Sequence, residues 1–185
     1  MVCYPNQHMM YKKLSMDELG RKSPEAFRES EKFPVFLVLD NIRSMMNTGS
    51  VFRTADAFLL EGIYLCGITA SPPHREIHKT ALGATESVHW QYFEETRQAI
   101  ALLKGNGYQV LALEQTAGSI SLQDFQPVGG QKYALVFGNE VKGVGEEVLQ
   151  LCDGCLEIPQ FGTKHSLNVS VTAGMVIWDF YCKLR

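Results

Sequence analysis

From Val35 onward the chain alternates short apolar runs with amphipathic stretches. Residues 35–39, 63–66, 108–113, 133–137 and 155–158 are short, largely apolar runs that read as buried strands. Between them, residues 48–58, 94–104 and 146–152 carry helical spacing. Strands alternating with helices of this length predict an α/β fold, a mostly parallel sheet with helices on both faces. Such sheets take ligands at the carboxyl ends of their strands, which directs attention to the loops that follow strands.

The two ends of the chain depart from this pattern. The first 34 residues are polar and interrupted by Ser15, Gly20, Ser23 and Pro34, and they predict a helical lead-in. Ser15 stands three before Glu18, the spacing of a capping box, and Ser23-Pro24 places a cap residue before a proline at the first helical position. At the other end, residues 166–184 predict a helix in which Leu167, Val169, Val171, Met175, Val176, Ile177, Trp178, Phe180 and Tyr181 fall all round the axis. A helix apolar on every side must be covered, and a partner subunit is the economical cover in so small a domain.

Composition narrows the class. The 185 residues suffice for one domain with its own core, and 17 Lys+Arg against 20 Asp+Glu leave a net charge of −3, so there is no basic nucleic-acid arm. RNA stays open as a partner, because a local patch attracts phosphate whatever the total charge. No run approaches the roughly 20 apolar residues of a membrane span, and the opening Met1-Val2-Cys3-Tyr4 lacks the features of a signal peptide. A cytoplasmic protein with reduced, mostly buried thiols at Cys3, Cys66, Cys152, Cys155 and Cys182 is the expectation, with no membrane association.

Several motifs fail on spacing. Cys152-Asp153-Gly154-Cys155 has no second pair to complete a zinc site and lies where a helix gives way to a strand, with Gly154 suited to the helix C-cap, so no metal is expected. His74 and His78 lack the glutamate that a metalloprotease needs directly after the first histidine, and Pro72-Pro73 predict a loop there. The glycines of residues 138–145 follow a strand without the Lys-Ser/Thr of a nucleoside-triphosphate loop or the dinucleotide-binding spacing.

Three segments remain, each directly after an apolar strand. Residues 40–58 run from a polar loop into a helix with Asn47, Gly49 and Arg53; residues 135–144 contain Gly138, Asn139, Glu140 and Gly143; residues 158–171 contain Pro159, Gly162, Ser166, Leu167, Asn168, Val169 and Ser170. In order and placement these resemble the three motifs of the SpoU/TrmH family of RNA ribose 2′-O-methyltransferases, within the SPOUT superfamily. The resemblance covers about residues 35–178.

The resemblance implies a SPOUT-type domain over residues 35–185, a C-terminal trefoil knot, S-adenosylmethionine held in that knot, and a homodimer. The expected activity is methyl transfer to a ribose 2′-hydroxyl of tRNA or rRNA, the alternative being a knotted RNA-binding protein without catalysis. Gly138, Gly143 and Gly162 permit close backbone approach, and the implied cofactor residues are Phe137, Gly138, Asn139, Gly143, Ile158, Pro159, Ser166 and Leu167.

Arg53 falls at the position family members use at the reacting hydroxyl. An arginine stays protonated, so it is suited to gripping RNA phosphate and stabilising a developing alkoxide rather than to acting as a base. Asn47, Glu140, Ser166 and Asn168 match the other catalytic positions. Glu140 is suited either to ordering the Asn47 loop or to bonding on the Arg53 side, and Ser166 either to capping the last helix or to touching substrate. Arg43, Arg53, Lys142 and Lys164 are the candidate RNA contacts.

Overall fold

The computed structural model describes residues 11–15 and 17–185; Cys3 and the opening residues of the chain lie outside them. Among the described residues the core is a seven-stranded sheet in the order β3-β2-β1-β6-β4-β7-β5, with every pairing parallel. The strands are β1 (Phe33–Asp40), β2 (Leu60–Cys66), β3 (Trp90–Phe93), β4 (Tyr108–Leu113), β5 (Ile120–Ser121), β6 (Lys132–Phe137) and β7 (Gly154–Glu157). The helices are α1 (Pro24–Glu29), α2 (Met45–Ala57), α3 (Arg75–Ala81), α4 (Ala84–Ser87), α5 (Thr96–Gly105), α6 (Glu146–Leu149) and α7 (Val169–Leu184).

Alternation along the strands explains the two helical layers. On β1, Val35, Leu37 and Leu39 face a core closed by Phe52 of α2, Ile77 of α3 and Ile177 and Phe180 of α7. The intervening Phe36 and Val38 face the opposite core, closed by Ile100 and Leu103 of α5 and Val148 of α6. Both faces of the central strands are therefore buried, as the unbroken apolar runs predict.

The local signals hold where a mechanism backs them. Ser23 Oγ accepts the Ala26 N–H at 3.2 Å and Pro24 opens α1. Ser15 and Glu18 exchange both capping-box bonds, Ser15 N–H to Glu18 Oε2 at 2.7 Å and Glu18 N–H to Ser15 Oγ at 3.3 Å, but only a turn over residues 17–20 follows. Gly49, in the first motif, has a packing reason: a Cβ there would overlap Thr80 Oγ1 and the Ile77 carbonyl, because α3 lies directly against α2.

Other expectations are corrected. Residues 74–78 are not a loop: His74 Nδ1 accepts the Glu76 N–H at 3.2 Å and caps α3, so Pro72-Pro73 precede the helix instead of breaking it. Gly154 does not cap a helix; α6 ends at Leu149 with Gln150 as its cap, and Gly154 opens β7. The last helix begins at Val169 rather than Ser166, since Asn168 is its cap. It is also not buried all round: Val171, Met175 and Trp178 are 48%, 46% and 57% exposed along one stripe, while Val169, Ala173, Val176, Ile177 and Phe180 fill the core. Of the described thiols only Cys66 is buried, Cys182 is exposed, and all four are unpaired.

Candidate active site

Four strands converge at their carboxyl ends on the three segments singled out above. Asp40 of β1 leads into the first, Phe137 of β6 into the second and Glu157 of β7 into the third, while β4 ends between β6 and β7. Around the last three lies a cavity of about 460 Å³, within the size range of small-molecule sites. Phe137, Gly138, Asn139, Gly143, Ile158, Ser166 and Leu167 line it, so the structure gathers these cofactor candidates from two loops onto one wall system. Pro159, an implied cofactor residue, does not line the cavity, and Gly162 has open space about it, with no close approach of neighbouring atoms.

The second loop is a tight turn built by its own residues. Asn139 and Gly143 exchange backbone bonds, N–H of Asn139 to O of Gly143 at 3.0 Å and the reverse at 2.8 Å. Asn139 Oδ1 accepts the Val141 and Lys142 N–H groups at 2.9 and 3.1 Å, and its Nδ2 donates to the Asn41 carbonyl at 2.7 Å. Gly143 closes the turn at φ +67, a left-handed conformation natural to glycine. At Gly138 a Cβ would overlap the Gly143 carbonyl carbon and the Val144 nitrogen, so the bare backbone is a condition of the turn.

Glu140 points away from this turn and fixes the start of α2. Its Oε2 accepts the Arg43 N–H at 2.9 Å, and its Oε1 accepts the Ser44 N–H at 3.0 Å and Asn47 Nδ2 at 3.1 Å. Of the two roles open to it, the structure shows the ordering of the Asn47 loop. Burial by itself would raise the Glu140 carboxyl, but the Arg43 and Ser44 amides and the Asn47 side chain outweigh it and hold the group below its ordinary value.

A carboxyl lowered by folding stabilises the folded state above the unfolded value and ceases to do so as pH falls through the folded value. The stability gap between wild type and Glu140→Gln should therefore be widest above pH 4.5, the ordinary value, and narrow on acidification below it. Urea unfolding of both proteins across that range measures it; a gap independent of pH would show that the charge contributes nothing.

Asn47 passes the connection on. Its Oδ1 accepts Asn168 Nδ2 at 3.1 Å, and Asn168 Oδ1 accepts the Ser170 and Val171 N–H groups at 2.9 and 3.4 Å. Asn168 is therefore the exposed cap of α7, which accounts for a polar residue beside an apolar helix. Ser166, by contrast, caps nothing and stays in the cavity wall.

Arg53 stands apart from this network. It lies on the exposed face of α2, six residues or about 9 Å along the helix from Asn47, and outside the cavity lining. Neither acidic neighbour holds it: Asp56 bonds Ser87, and Glu61 bonds Tyr108 and Lys132. Arg43 and Lys142 line a second cavity of about 850 Å³ on the other side of the 138–144 loop, between Ile68 and Arg97, and Lys164 lies on the exposed loop after β7. Burial pushes the thiols of Cys66 and Cys152 up to about 12, which makes both poor nucleophiles.

Fold and cavity together define an α/β protein with a ligand site at the carboxyl edge of its sheet, framed by three motif-bearing loops. The model of the SpoU rRNA Methylase family matches residues 34–178, and the chain belongs to that family. It is 32% identical over 163 residues to the tRNA (guanosine(18)-2′-O)-methyltransferase of Thermus thermophilus, covering 88% of this chain and 81% of that protein.

Among solved structures, an AdoMet-bound rRNA methyltransferase from Sinorhizobium meliloti superposes with a TM-score of 0.76 at 28% identity, over 89% of this chain and 62% of that one. A structure concerned with 2-OH methylation of C/U34 on tRNA matches with a TM-score of 0.70 at 27% identity, over 81% and 95%. Against three further tRNA/rRNA methyltransferases the chain spans between 61% and 69% of their length.

Proposed function

We propose that the protein is an S-adenosylmethionine-dependent RNA methyltransferase acting on a ribose 2′-hydroxyl of tRNA or rRNA, as a cytoplasmic homodimer with the trefoil knot of its family. The observation that carries the reading is the cavity of about 460 Å³ at the carboxyl edge, walled by the glycine turn at Gly138 and Gly143 and flanked by the Glu140–Asn47–Asn168 network. Glycine at both positions permits the tight turn that forms one wall of a cavity of nucleoside size. The reactions in the names of the two relatives given above support the ribose as acceptor. Supporting the knot is the sheet order, in which β6 enters between β1 and β4 and β7 between β4 and β5.

When bound, the cofactor supplies an electrophilic methyl carbon on a sulfonium. The chain's own residues have the remaining tasks. The 138–144 and 158–167 loops bind and orient the donor through backbone groups. Glu140 and Asn47 fix the first turn of α2, and Arg53 projects two turns further along the helix as a cation without an ion pair among the described residues. There its guanidinium grips an RNA phosphate and stabilises negative charge developing on the 2′-oxygen, while the hydroxyl proton leaves to a phosphate oxygen or water. Arg43, Lys142 and Lys164, all exposed, supply further phosphate contacts. The apolar stripe of Val171, Met175 and Trp178 supports the dimer, as a surface that water covers poorly.

Calorimetric titration with S-adenosylmethionine, S-adenosylhomocysteine, ATP and NAD tests the cofactor. Incubation of cellular RNA with methyl-labelled donor, followed by digestion to nucleosides, tests the acceptor. Saturable binding of the first two ligands alone and label in 2′-O-methyl nucleosides are expected. Label in the bases would overturn the ribose assignment, no binding the enzyme assignment, and a monomer in sedimentation the dimer.

A further inference from the structure

We infer that Glu114 and Gln115, which lie outside the three motifs, are positioning residues that hold the two cofactor loops at their working separation. The inference rests on the reading of the cavity as the methyl-donor site. Its geometric basis is the sheet order. Leu113, the last residue of β4, is in register with Phe137 of β6 on one side and Leu156 of β7 on the other. The next two residues therefore emerge between the loop that leaves β6 and the loop that leaves β7, and both line the cavity.

Each residue reaches one loop. The Glu114 backbone is tied to β7 through its N–H to the Leu156 carbonyl at 3.0 Å. Its carboxylate then accepts the Val144 N–H on Oε2 at 2.9 Å and the Gln115 N–H on Oε1 at 2.8 Å. The Val144 bond spans 30 residues, so it joins separate segments and is no feature of a local turn. Gln115 Nε2 donates to the His165 carbonyl at 3.2 Å, in the loop after β7. A side chain at Gly143 would overlap the Glu114 carboxylate, so the motif glycine and the glutamate outside the motif fit one another. Charge-assisted bonds to backbone amides are stronger than neutral ones, which suits an anchor at the rim of a solvated cavity.

Hydrogen exchange of the ligand-free protein, read at the Val144 amide, tests the anchor directly. In Glu114→Ala that amide should exchange about ten-fold faster or more, the factor set by one charge-assisted hydrogen bond, while Leu135 and Val136 in β6 keep their protection. S-adenosylmethionine should bind about ten-fold more weakly to the same variant. Glu114→Gln retains a carbonyl acceptor of the same reach and should restore most of both losses.

Gln115 is exposed, so Gln115→Ala should fold as wild type and weaken S-adenosylmethionine binding by a factor of about two to ten; it also decides the matter if Glu114→Ala does not fold. Unchanged Val144 exchange in Glu114→Ala, or wild-type affinity in Gln115→Ala, would overturn the assignment of the residue concerned. If wild type itself binds no S-adenosylmethionine, the functional reading falls, and the Val144 exchange rate still decides whether Glu114 holds the loop.

Discussion

Arg53→Ala folds as wild type and loses methyl transfer by about 10²–10³-fold, the range for removal of one preorganised group that stabilises developing negative charge. The asymmetry follows from its surroundings. Arg53 is exposed on α2 and makes no ion pair among the described residues, so its removal should change stability by no more than about 0.5 kcal/mol. Its neighbours Phe52 and Thr54 keep their places in the helix. Arg53→Lys should recover little, because a guanidinium grips phosphate with two parallel donors and an ammonium with a point charge. Transfer of labelled methyl to RNA, measured beside a thermal melt, separates the two effects. Activity near wild type in the alanine variant would remove Arg53 from the reacting hydroxyl.

The second large effect is expected at Gly138. Its added methyl would meet the Gly143 carbonyl carbon and the Val144 nitrogen, two backbone atoms that cannot swing aside as a side chain tip can. Relief requires opening the turn, which breaks the paired Asn139–Gly143 bonds and withdraws Val144 from Glu114. Gly138→Ala should therefore lose S-adenosylmethionine binding by well over ten-fold and lower stability by about 1–3 kcal/mol, the usual range for overpacking. Calorimetry and urea unfolding of the variant measure both. Wild-type affinity in Gly138→Ala would mean that the turn plays no part in holding the donor.

How much of this is legible in the sequence depends on how local each signal is. The runs that form β1, β2, β4, β6 and β7 are readable because strands buried on both faces are apolar over most of their length. The edge strand β3 escaped, since Gln91 and Tyr92 are exposed and leave Trp-Gln-Tyr-Phe with no pattern. The helix α3 escaped because its cap is a histidine, a residue type seldom read as one.

Asn168 falls inside the helix predicted over residues 166–184 but stands at its cap, for its partners are the α7 amides and the distant Asn47. Nothing local marks Glu114: its bond to Val144 follows from β4 lying between β6 and β7, an arrangement visible only in the assembled sheet. The final helix reads as apolar on every side, and the structure covers Val169, Ala173, Val176, Ile177 and Phe180 while leaving the Val171, Met175 and Trp178 stripe open.

The sheet order also bears on how the chain reaches this state. β1, β2 and β3 are neighbours both in sequence and in space, so that half of the sheet can zip together in passing order. β4 has no partner among the strands before it; it joins the sheet only through β6 and β7, which come later. Until they arrive, β1 and β4 each present an unpaired apolar edge, the kind of surface that recruits other chains. The carboxyl-edge cavity needs β4, β6 and β7 together, so chain segments far apart in sequence must meet for it, a topology of the kind that slows folding. In the cell, the hazard of sticking to other copies is concentrated in that interval.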